Sequence, residues 1–164
     1  ITIRMATEKL KFKLELYSTF WDKKPTCEVL INGVSRWNDV VDGSDKDPTV
    51  IEFDHECEEG KQYELVLDRK GKDKTQTIVN DKGDILHDQM LHIKSVEIDE
   101  IEIGTLVYEG IYTPNYPEPW ATQQHEAGVD LPQTYKNVTV MGHNGTWTFR
   151  FLSPFYMWLL ENLY

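Results

Sequence analysis

The sequence predicts an all-β protein, an antiparallel β-sandwich of jelly-roll-like architecture that ends in a short helix. Between residues 91 and 103, apolar side chains alternate with polar ones, at Leu91, Ile93, Val96, Ile98, Ile101 and Ile103. A period of two places alternate side chains on opposite faces, as in a strand with one dry face. Eight or nine such segments, separated by turn residues, are typical of antiparallel sandwiches and barrels.

The alternation changes phase twice within this run. One slip falls between Ile93 and Val96, and the other between Ile98 and Ile101. A strand cannot move its apolar side chains to the other face unless a residue is inserted or the chain turns. Each slip therefore predicts a β-bulge or a turn.

The first half of the chain contains five predicted strands with clear turn signals between them. Residues 9–17 alternate strictly, and a second strand at residues 26–31 ends in Asn32-Gly33, a dipeptide that favours tight hairpin turns. Residues 39–48 are polar and predict a loop. Further strands are predicted at residues 49–55, around Tyr63–Leu67 and at residues 76–79, the last closed by a turn at residues 80–84.

The second half is predicted to hold two strands between residues 90 and 112, one at residues 135–140 and one at residues 146–152. Residues 113–134 contain few patterned apolar side chains and four prolines, at positions 114, 117, 119 and 132. They predict one long ordered loop, a kind of segment that is commonly functional. Ser153-Pro154 predicts an N-cap and first helical residue, followed by a helix at residues 155–164 that carries Phe155, Trp158, Leu159 and Leu163.

A chain of 164 residues is sufficient for one domain with one core. We assign residues 9–164 to this domain and residues 1–8 to an N-terminal extension, in which Met5-Ala6-Thr7 resembles a natural start. No stretch has the pattern of a secretory signal or the length of a membrane span. The sequence does not indicate where the protein is located, and a virion is one of the locations that it allows.

The formal net charge of −11 disfavours binding partners that are themselves strongly negative. Nucleic acids and anionic membranes are bound largely through Lys and Arg, so both are disfavoured. A neutral ligand such as a carbohydrate, a cation, or a protein subunit fits better, and an oligomer is compatible with the sequence. Cys27 and Cys57 are too few for a disulfide framework, and we expect two reduced, buried thiols.

Motifs of common enzymes are absent from the sequence: it has no phosphate-binding glycine loop, no His-Glu-x-x-His and no Gly-x-Ser-x-Gly. We therefore expect a protein without catalytic residues. Acidic pairs two positions apart, such as Glu52 with Asp54 and Glu97 with Asp99, would share a strand face, as the paired carboxylates of a glycoside hydrolase share a cleft. With 28 acidic residues such pairs also arise by chance, and a solvated face explains them equally.

Calcium is the metal that the sequence favours, because Ca²⁺ prefers several oxygen ligands. Asp81, Asp84 and Asp88, near Asn80, are the candidate ligands, and a second acidic loop holds Asp42, Asp45 and Asp47. Neither has the full spacing of an EF-hand. Asp and Asn are also ordinary turn residues, which is the alternative explanation.

The candidate binding residues lie in and beside the proline-rich loop. Tyr112, Tyr116 and Trp120 supply large rings on a stiffened segment, and Asn115 and Gln123 supply amides. Exposed aromatic rings stack on the apolar faces of sugars, while amides hydrogen-bond their hydroxyls. The alternative is that the rings attach the loop to the sandwich or pack against another protein. Trp21 and Trp37 allow the same two interpretations.

Two runs carry a resemblance to a known group of proteins. These are Pro25-x-x-x-Val29-x-Ile31-Asn32-Gly33, and the run from Asp84 through Leu86, Leu91-His92-Ile93, Val96, Ile98-Asp99 and Ile101 to Ile103. Together they resemble strand patterns of jelly-roll carbohydrate-binding modules, some of which use calcium. They are similar also to β-sandwich domains of phage virions.

The resemblance implies a non-catalytic carbohydrate-binding protein that uses loop aromatics, with calcium as a possible aid. The alternative from the same resemblance is a structural, decoration or fibre protein of a virion, whose aromatic loop docks a neighbouring subunit. A glycoside hydrolase acting through an acidic pair is a third expectation, drawn from the residues alone. Absence of retention on every polysaccharide would contradict the first expectation, whereas oligomeric state tests the second and turnover of glycosides tests the third.

Overall fold

We describe a computed structural model of the chain, which covers residues 6–102 and 106–163. Within these residues the strands are β1 (Thr7–Thr19), β2 (Thr26–Ile31), β3 (Val34–Val40), β4 (Thr49–Glu58), β5 (Gln62–Lys70), β6 (Ile78–Val79), β7 (Ile85–His87), β8 (Met90–Ile98), β9 (Ile101–Glu102), β10 (Ile111–Pro114), β11 (Tyr135–Lys136), β12 (Val140–Met141) and β13 (Gly145–Leu152). The helices are α1 (Leu106–Glu109), α2 (Trp120–Glu126) and α3 (Phe155–Leu163), and a 3₁₀ turn spans Lys74–Gln76.

Two antiparallel sheets form the body of the protein. The first has the order β12-β8-β1-β4, with β9 added to β8, and the second has the order β11-β10-β13-β5-β2-β3. A separate hairpin of β6 and β7 lies outside both. This arrangement, with α3 after the last long strand, confirms the predicted antiparallel β-sandwich and its short C-terminal helix.

The core lies between the two sheets and is built by the alternation that the sequence shows. From β1, Leu10, Phe12, Leu14 and Leu16 are fully buried, and from β8 Leu91, Ile93, Val96 and Ile98 are almost fully buried. The second sheet contributes Val29, Ile31, Leu65, Leu67, Trp147, Phe149 and Phe151. Each such side chain contributes about 2 kcal/mol when removed from water, which offsets part of the conformational entropy that the ordered chain loses.

Both predicted phase slips are confirmed as local irregularities. Ser95 pairs with Glu15 and Ile93 with Leu16, so Lys94 is an extra residue on β8, a β-bulge. At the second slip, Asp99 and Glu100 both have positive φ values, of 53° and 63°, and they close the hairpin between β8 and β9. Two consecutive residues with positive φ form the tight turn that suits a twisted hairpin. Ile103, which continues the sequence pattern, lies outside the described residues.

The structure differs from the prediction in several elements; for example, β7 and α1 were not predicted. β3 is absent from the prediction, because it is an edge strand whose side chains are exposed except for Trp37, and it therefore lacks alternation. The predicted loop at residues 113–134 contains the end of β10 and helix α2. The predicted strand at residues 135–140 is interrupted at Asn137, with φ 59°, and its two parts join different sheets.

The start of α3 also differs from its predicted capping. The helix begins at Phe155, whose N–H donates to the carboxylate of Glu8 at 2.9 Å, and the Ser153 hydroxyl donates to the same carboxylate at 2.5 Å. Glu8 therefore takes the role that the sequence suggested for Ser153. Since β1 already includes Thr7 and Glu8, part of the predicted N-terminal extension belongs to the sheet, while residues 1–5 are not described.

Helix α3 packs through Phe155 and Leu159, which are buried, with Trp158 against Phe149 at 5.5 Å between ring centroids. Tyr156, Met157 and Leu160 are exposed on its other side. Among the described helices, none is long and apolar enough to span a membrane.

Candidate functional site

The strand registers place five connecting segments at one end of the sandwich. β1 ends at Thr19, opposite Met90, in the first sheet. In the second sheet Thr26 pairs with Lys70, and Pro114 with Gly145. We call this end the loop end; its connections are residues 20–25, 41–48, 71–89, 115–134 and 142–144. Helix α3 lies at the opposite end, next to the turn of Asp99 and Glu100, since the Tyr156 hydroxyl bonds Asp99 at 3.3 Å.

Three half-buried rings meet at the loop end and form what we call the ring cluster: Tyr116, Trp120 and His143. Their centroids are separated by 6.1 Å for Tyr116 and Trp120, 5.1 Å for Tyr116 and His143, and 5.3 Å for Trp120 and His143. These separations are those of interacting aromatic pairs. Two of the predicted ligand-binding residues, Tyr116 and Trp120, are thus brought together, and His143 was not expected from the sequence.

Hydrogen bonds fix the orientation of Tyr116. Its hydroxyl donates to the carbonyl of Pro132 at 2.5 Å and lies 3.3 Å from the hydroxyl of Tyr135. Desolvation and the bond with Tyr135 raise the pKa of Tyr116 above its ordinary value, so the phenol is protonated at neutral pH. The ring is therefore held in place by both ends of the predicted loop.

Tyr112 does not occupy the exposed position that the sequence suggested. It is 4% exposed and lies on β10, between β11 and β13. Its hydroxyl donates to the carbonyl of His143 at 2.5 Å and accepts from the backbone N–H of His143 at 2.9 Å. The correction follows from the strand, which extends to Pro114 and turns Tyr112 inward. Tyr112 positions His143 and offers no surface for a ligand.

The predicted amide residues Asn115 and Gln123 are exposed at the loop end. Asn115 follows β10 directly, and its backbone N–H donates to the carbonyl of Asn144 at 2.6 Å. Gln123 lies three residues after Trp120 on α2, so both project from the same side of the helix. The two amides are therefore near the ring cluster on either side of the segment that carries it.

A depression of about 540 Å³ opens beside Asn115. Its walls come from the ends of β5, β10 and β13. They combine apolar surface, for example at Pro114, with the polar residues Asp68, Lys70, Thr113, Asn115, Asn144 and Thr146. Hydroxyl, amide and charged groups of this kind match the hydrogen-bonding groups of a polar ligand. Asn115 and Asn144, which precede Tyr116 and follow His143 in the chain, connect this depression to the ring cluster, and its volume is sufficient for a small ligand.

Beneath this surface lies a buried arginine on β5 that joins two of the connecting segments, residues 71–89 and 142–144. Arg69 is 0% exposed, and its guanidinium donates to the side-chain oxygen of Asn144 at 2.9 Å and to the carbonyl of Gln89 at 2.8 Å. Burial lowers the pKa of Arg69 to about 10, which leaves it charged at neutral pH. Asn144 is also bonded to the backbone of Lys72 through both amide atoms. The segment that carries His143 is therefore rigid.

Lys72 extends this network. Its ammonium group lies 2.8 Å from the carboxylate of Asp88 and donates to the carbonyl of Gly142 at 2.6 Å. Both side chains are nearly buried, at 11% and 15% exposure. The residues that follow Gly142 and precede Asp88 are His143 and His87, so one ammonium group connects two aromatic segments.

The second aromatic segment centres on Trp21, which is 44% exposed. Its indole N–H donates to the carbonyl of Gln76 at 2.8 Å, and its ring stacks on His87 at 5.0 Å between centroids. Gln76 is fully buried and accepts from the backbone N–H of Lys23 through its side chain. The sequence left the role of Trp21 open, and this stacking on His87 could not be read from it.

The predicted calcium ligands Asp81, Asp84 and Asp88 are not brought together. Asp88 bonds Lys72 and the hydroxyl of Thr77, while Asp84 bonds Asn80 within the β6–β7 turn. Residues 6–102 and 106–163 contain no group of three or more His, Cys, Asp or Glu side chains placed to hold a metal ion. Asp84 thus contributes to the turn, whereas Asp88 belongs to an ion pair.

The acidic pair of Glu52 and Asp54 lies on β4, opposite Lys13 and Lys11 of β1. Lys9 also approaches Asp54, at 3.6 Å. This surface is the outer face of the first sheet, away from the ring cluster, and it has the alternating charges of a solvated face.

The same outer face carries a groove of about 350 Å³ near Tyr17 and His92. These two rings stack face to face, with centroids 4.3 Å apart and planes within 3° of parallel. Each ring therefore covers one face of the other, and the ion pair of Lys94 and Asp45, at 3.2 Å, lies at the rim. The groove is smaller than the loop-end depression.

Cys27 and Cys57 are free and buried, as predicted. They lie on β2 and β4, which belong to different sheets. Burial raises the pKa of each thiol to about 12, so neither is a thiolate at neutral pH.

Comparisons with known proteins give one distant structural likeness. No family model matches the chain, and no curated protein matches it. Among solved structures the chain is similar to one described as "vCBM60 in complex with galactobiose", with 6% identity, a TM-score of 0.48, and coverage of 85% of this chain and 96% of that chain. This likeness is too distant to assign a ligand to the chain.

Proposed function

We propose that the protein is a non-catalytic carbohydrate-binding protein, and that the ring cluster at the loop end is its binding site. The observation that carries the proposal is the packing of Tyr116, Trp120 and His143 beside the exposed amide of Asn115 and a depression of about 540 Å³ that has both apolar and polar lining residues. Aromatic faces with adjacent hydrogen-bonding groups suit a pyranose, which has an apolar face and a rim of hydroxyls.

Rigidity of the site supports the proposal. The hydroxyl of Tyr116 is bonded to Pro132, and the backbone of His143 is bonded on both sides to the hydroxyl of Tyr112. Groups that are already ordered lose little entropy when a ligand binds, which favours affinity for a weakly interacting ligand such as a sugar. Asn115 and Gln123 are exposed and available for hydroxyls.

Charge restricts the class of carbohydrate. The net charge of −11 repels uronates and sulfated glycans, so the ligand that fits is neutral. Burial and the charge of Lys72 lower the pKa of His143, which therefore supplies a neutral ring at physiological pH.

Affinity electrophoresis tests the proposal. Native gels that contain xylan, galactan, mannan or a mixed-linkage β-glucan are run with the wild-type protein, Trp120→Ala and Tyr156→Ala. Tyr156 is a matched control, since it is an aromatic residue with 47% exposure at the opposite end of the sandwich. We expect one polysaccharide to retard the wild type and the Tyr156 variant, and Trp120→Ala to migrate as in a gel without polysaccharide.

Equal migration of the wild type in every gel would contradict the proposal. Retention of binding by a folded Trp120→Ala variant would contradict the assigned site. The non-catalytic part is checked by incubating the protein with the polysaccharide that retards it and measuring reducing ends, for which we expect no increase over buffer.

A further inference from the structure

We infer that the loop end binds a neutral oligosaccharide chain through two separate stacking surfaces, the ring cluster and the indole of Trp21. This inference rests on the proposed function and adds to it the kind of carbohydrate, a chain of several sugar residues rather than a single one.

Trp21 has the properties of a preformed stacking surface. Its N–H is already bonded to the carbonyl of Gln76 at 2.8 Å, and one side of its ring is covered by His87 at 5.0 Å. The exposed 44% of the side chain therefore belongs mainly to the other face and the rim of the indole. Because its N–H is already bonded within the protein, the indole presents an apolar aromatic surface to a ligand.

The support beneath Trp21 is fully buried. Gln76 has 0% exposure, and its amide donates to the carboxylate of Asp22 at 3.1 Å while its carbonyl oxygen accepts from the backbone N–H of Lys23 at 3.1 Å. Gln89 is also 0% exposed and donates to the carbonyl of Lys23 at 2.9 Å. These bonds hold the segment of Trp21 against the body of the protein, so the indole does not have to become ordered on binding.

A short path of contacts joins this surface to the ring cluster. Lys72 bonds Asp88, the residue after His87, and the carbonyl of Gly142, the residue before His143. Since consecutive Cα atoms are about 3.8 Å apart, and both contacts are shorter than 3 Å, the Cα atoms of His87 and His143 are separated by no more than about 20 Å. Each histidine contacts its own aromatic surface, with ring centroids 5.0 Å from Trp21 and 5.3 Å from Trp120, so an oligosaccharide of several residues can extend between the two surfaces.

Two surfaces joined by a rigid network predict that affinity increases with chain length. A short ligand reaches one surface, whereas a long one contacts both without a further loss of translational freedom. Loss of Trp21 should therefore affect long ligands alone, and loss of Trp120 should affect ligands of every length.

Isothermal titration calorimetry with a length series tests this expectation. The ligands are the disaccharide, tetrasaccharide and octasaccharide prepared from the polysaccharide that retards the wild type in the gels. We expect Trp21→Ala to weaken binding of the octasaccharide about tenfold, equivalent to ~1.4 kcal/mol, and to leave the disaccharide affinity unchanged. Trp21→Phe, which keeps a flat ring but loses the bond to Gln76, should retain most of the affinity. Tyr156→Ala serves again as the control.

The possible results test the proposed function and the second stacking surface at Trp21 separately. If the wild type binds no oligosaccharide, the proposed function is wrong and this inference is wrong with it. If Trp120→Ala loses binding while folded Trp21→Ala binds every length as the wild type does, the proposed function stands and the second surface is wrong. If Trp21→Ala changes only the molar mass measured by light scattering, Trp21 contacts a protein and the inference is again wrong.

Discussion

The carboxylate of Glu8 accepts a hydrogen bond from the backbone N–H of Phe155 at 2.9 Å, which ties the first strand to the first turn of the last helix. The same carboxylate accepts from the hydroxyl of Ser153. The N–H groups of a first helical turn have no partner within the helix, so an acceptor from another element stabilises the helix start.

We predict that Glu8→Ala lowers the free energy of unfolding by about 1 kcal/mol, because the N–H of Phe155 loses its acceptor. Glu8→Gln keeps an oxygen at the same place and should cost less. Urea unfolding followed by fluorescence measures both values. Equal stability of the wild type and Glu8→Ala would show that the contact contributes nothing.

Asp88 and Lys72 lead to a prediction about pH. Although desolvation acts in the opposite direction, bonds from Lys72, the backbone of Gln89 and Thr77 lower the pKa of Asp88. The pKa of this carboxyl group is about 3.9 in the unfolded chain and lower in the folded protein, so the charged carboxylate stabilises the folded protein at pH values above about 3.9. This stabilisation is lost as the pH falls through the pKa of the folded state.

Asp88→Asn should therefore reduce stability at pH 7 by about 2 kcal/mol, because Lys72 keeps a nearly buried charge without its partner. The difference in the free energy of unfolding between Asp88→Asn and the wild type should become smaller below about pH 4, because the Asp88 carboxylate of the wild type is then protonated as well. Thermal unfolding of both proteins at a series of pH values measures this difference in stability. A difference that is constant down to pH ~2 would contradict this assignment.

Tyr112→Phe is predicted to affect binding although Tyr112 is 4% exposed. The change removes the hydroxyl that holds both backbone groups of His143, and the ring cluster loses part of its support. We expect an increase in Kd for the retarding polysaccharide of about threefold to tenfold, with the core still folded. Calorimetry checks it, and Tyr17→Phe on the outer face of the first sheet is the control.

The thiols of Cys27 and Cys57 should be unreactive in the folded protein. Both are 0% exposed, and burial raises the pKa of each to about 12. At pH 8 we expect no release of colour from a disulfide reagent within an hour, and reaction of both thiols once guanidinium is added. Rapid labelling of either thiol without denaturant would mean that the sheets open easily.

Glu100→Gly is predicted to stabilise the protein by up to about 1 kcal/mol, because a glycine adopts positive φ without steric cost. Glu100 has φ 63° in the turn between β8 and β9. Glu97→Gly, in the middle of β8, should have the opposite sign because it weakens a strand. Urea midpoints of the two variants give the comparison.

Alternation within long strands made the sandwich predictable from the sequence. The bulge at Lys94 and the turn at Asp99 and Glu100 were also predictable, since each appears as a change of phase. In these segments one face of the strand is buried against the core, so the apolar pattern shows which side chains point inward and where a bulge or turn interrupts the strand.

Elements without a buried face could not be predicted in this way. Strand β3 is exposed on nearly all positions, and α2 has no buried residue, so neither leaves an apolar period. For the proposed site, the sequence predicted Tyr116 and Trp120, which lie side by side in the structure. It gave no signal for His143, which approaches them because residues 142–144 lie beside β10. A contact between distant segments has no signal in the local pattern of either.

Residues 137–139 carry the chain from β11 in the six-stranded sheet to β12 in the other sheet. A connection this short limits how far the two sheets can slide past one another at this edge without detaching one of these two-residue strands. The distance between the sheets beside the ring cluster is therefore restrained by the covalent chain as well as by the packing of the core.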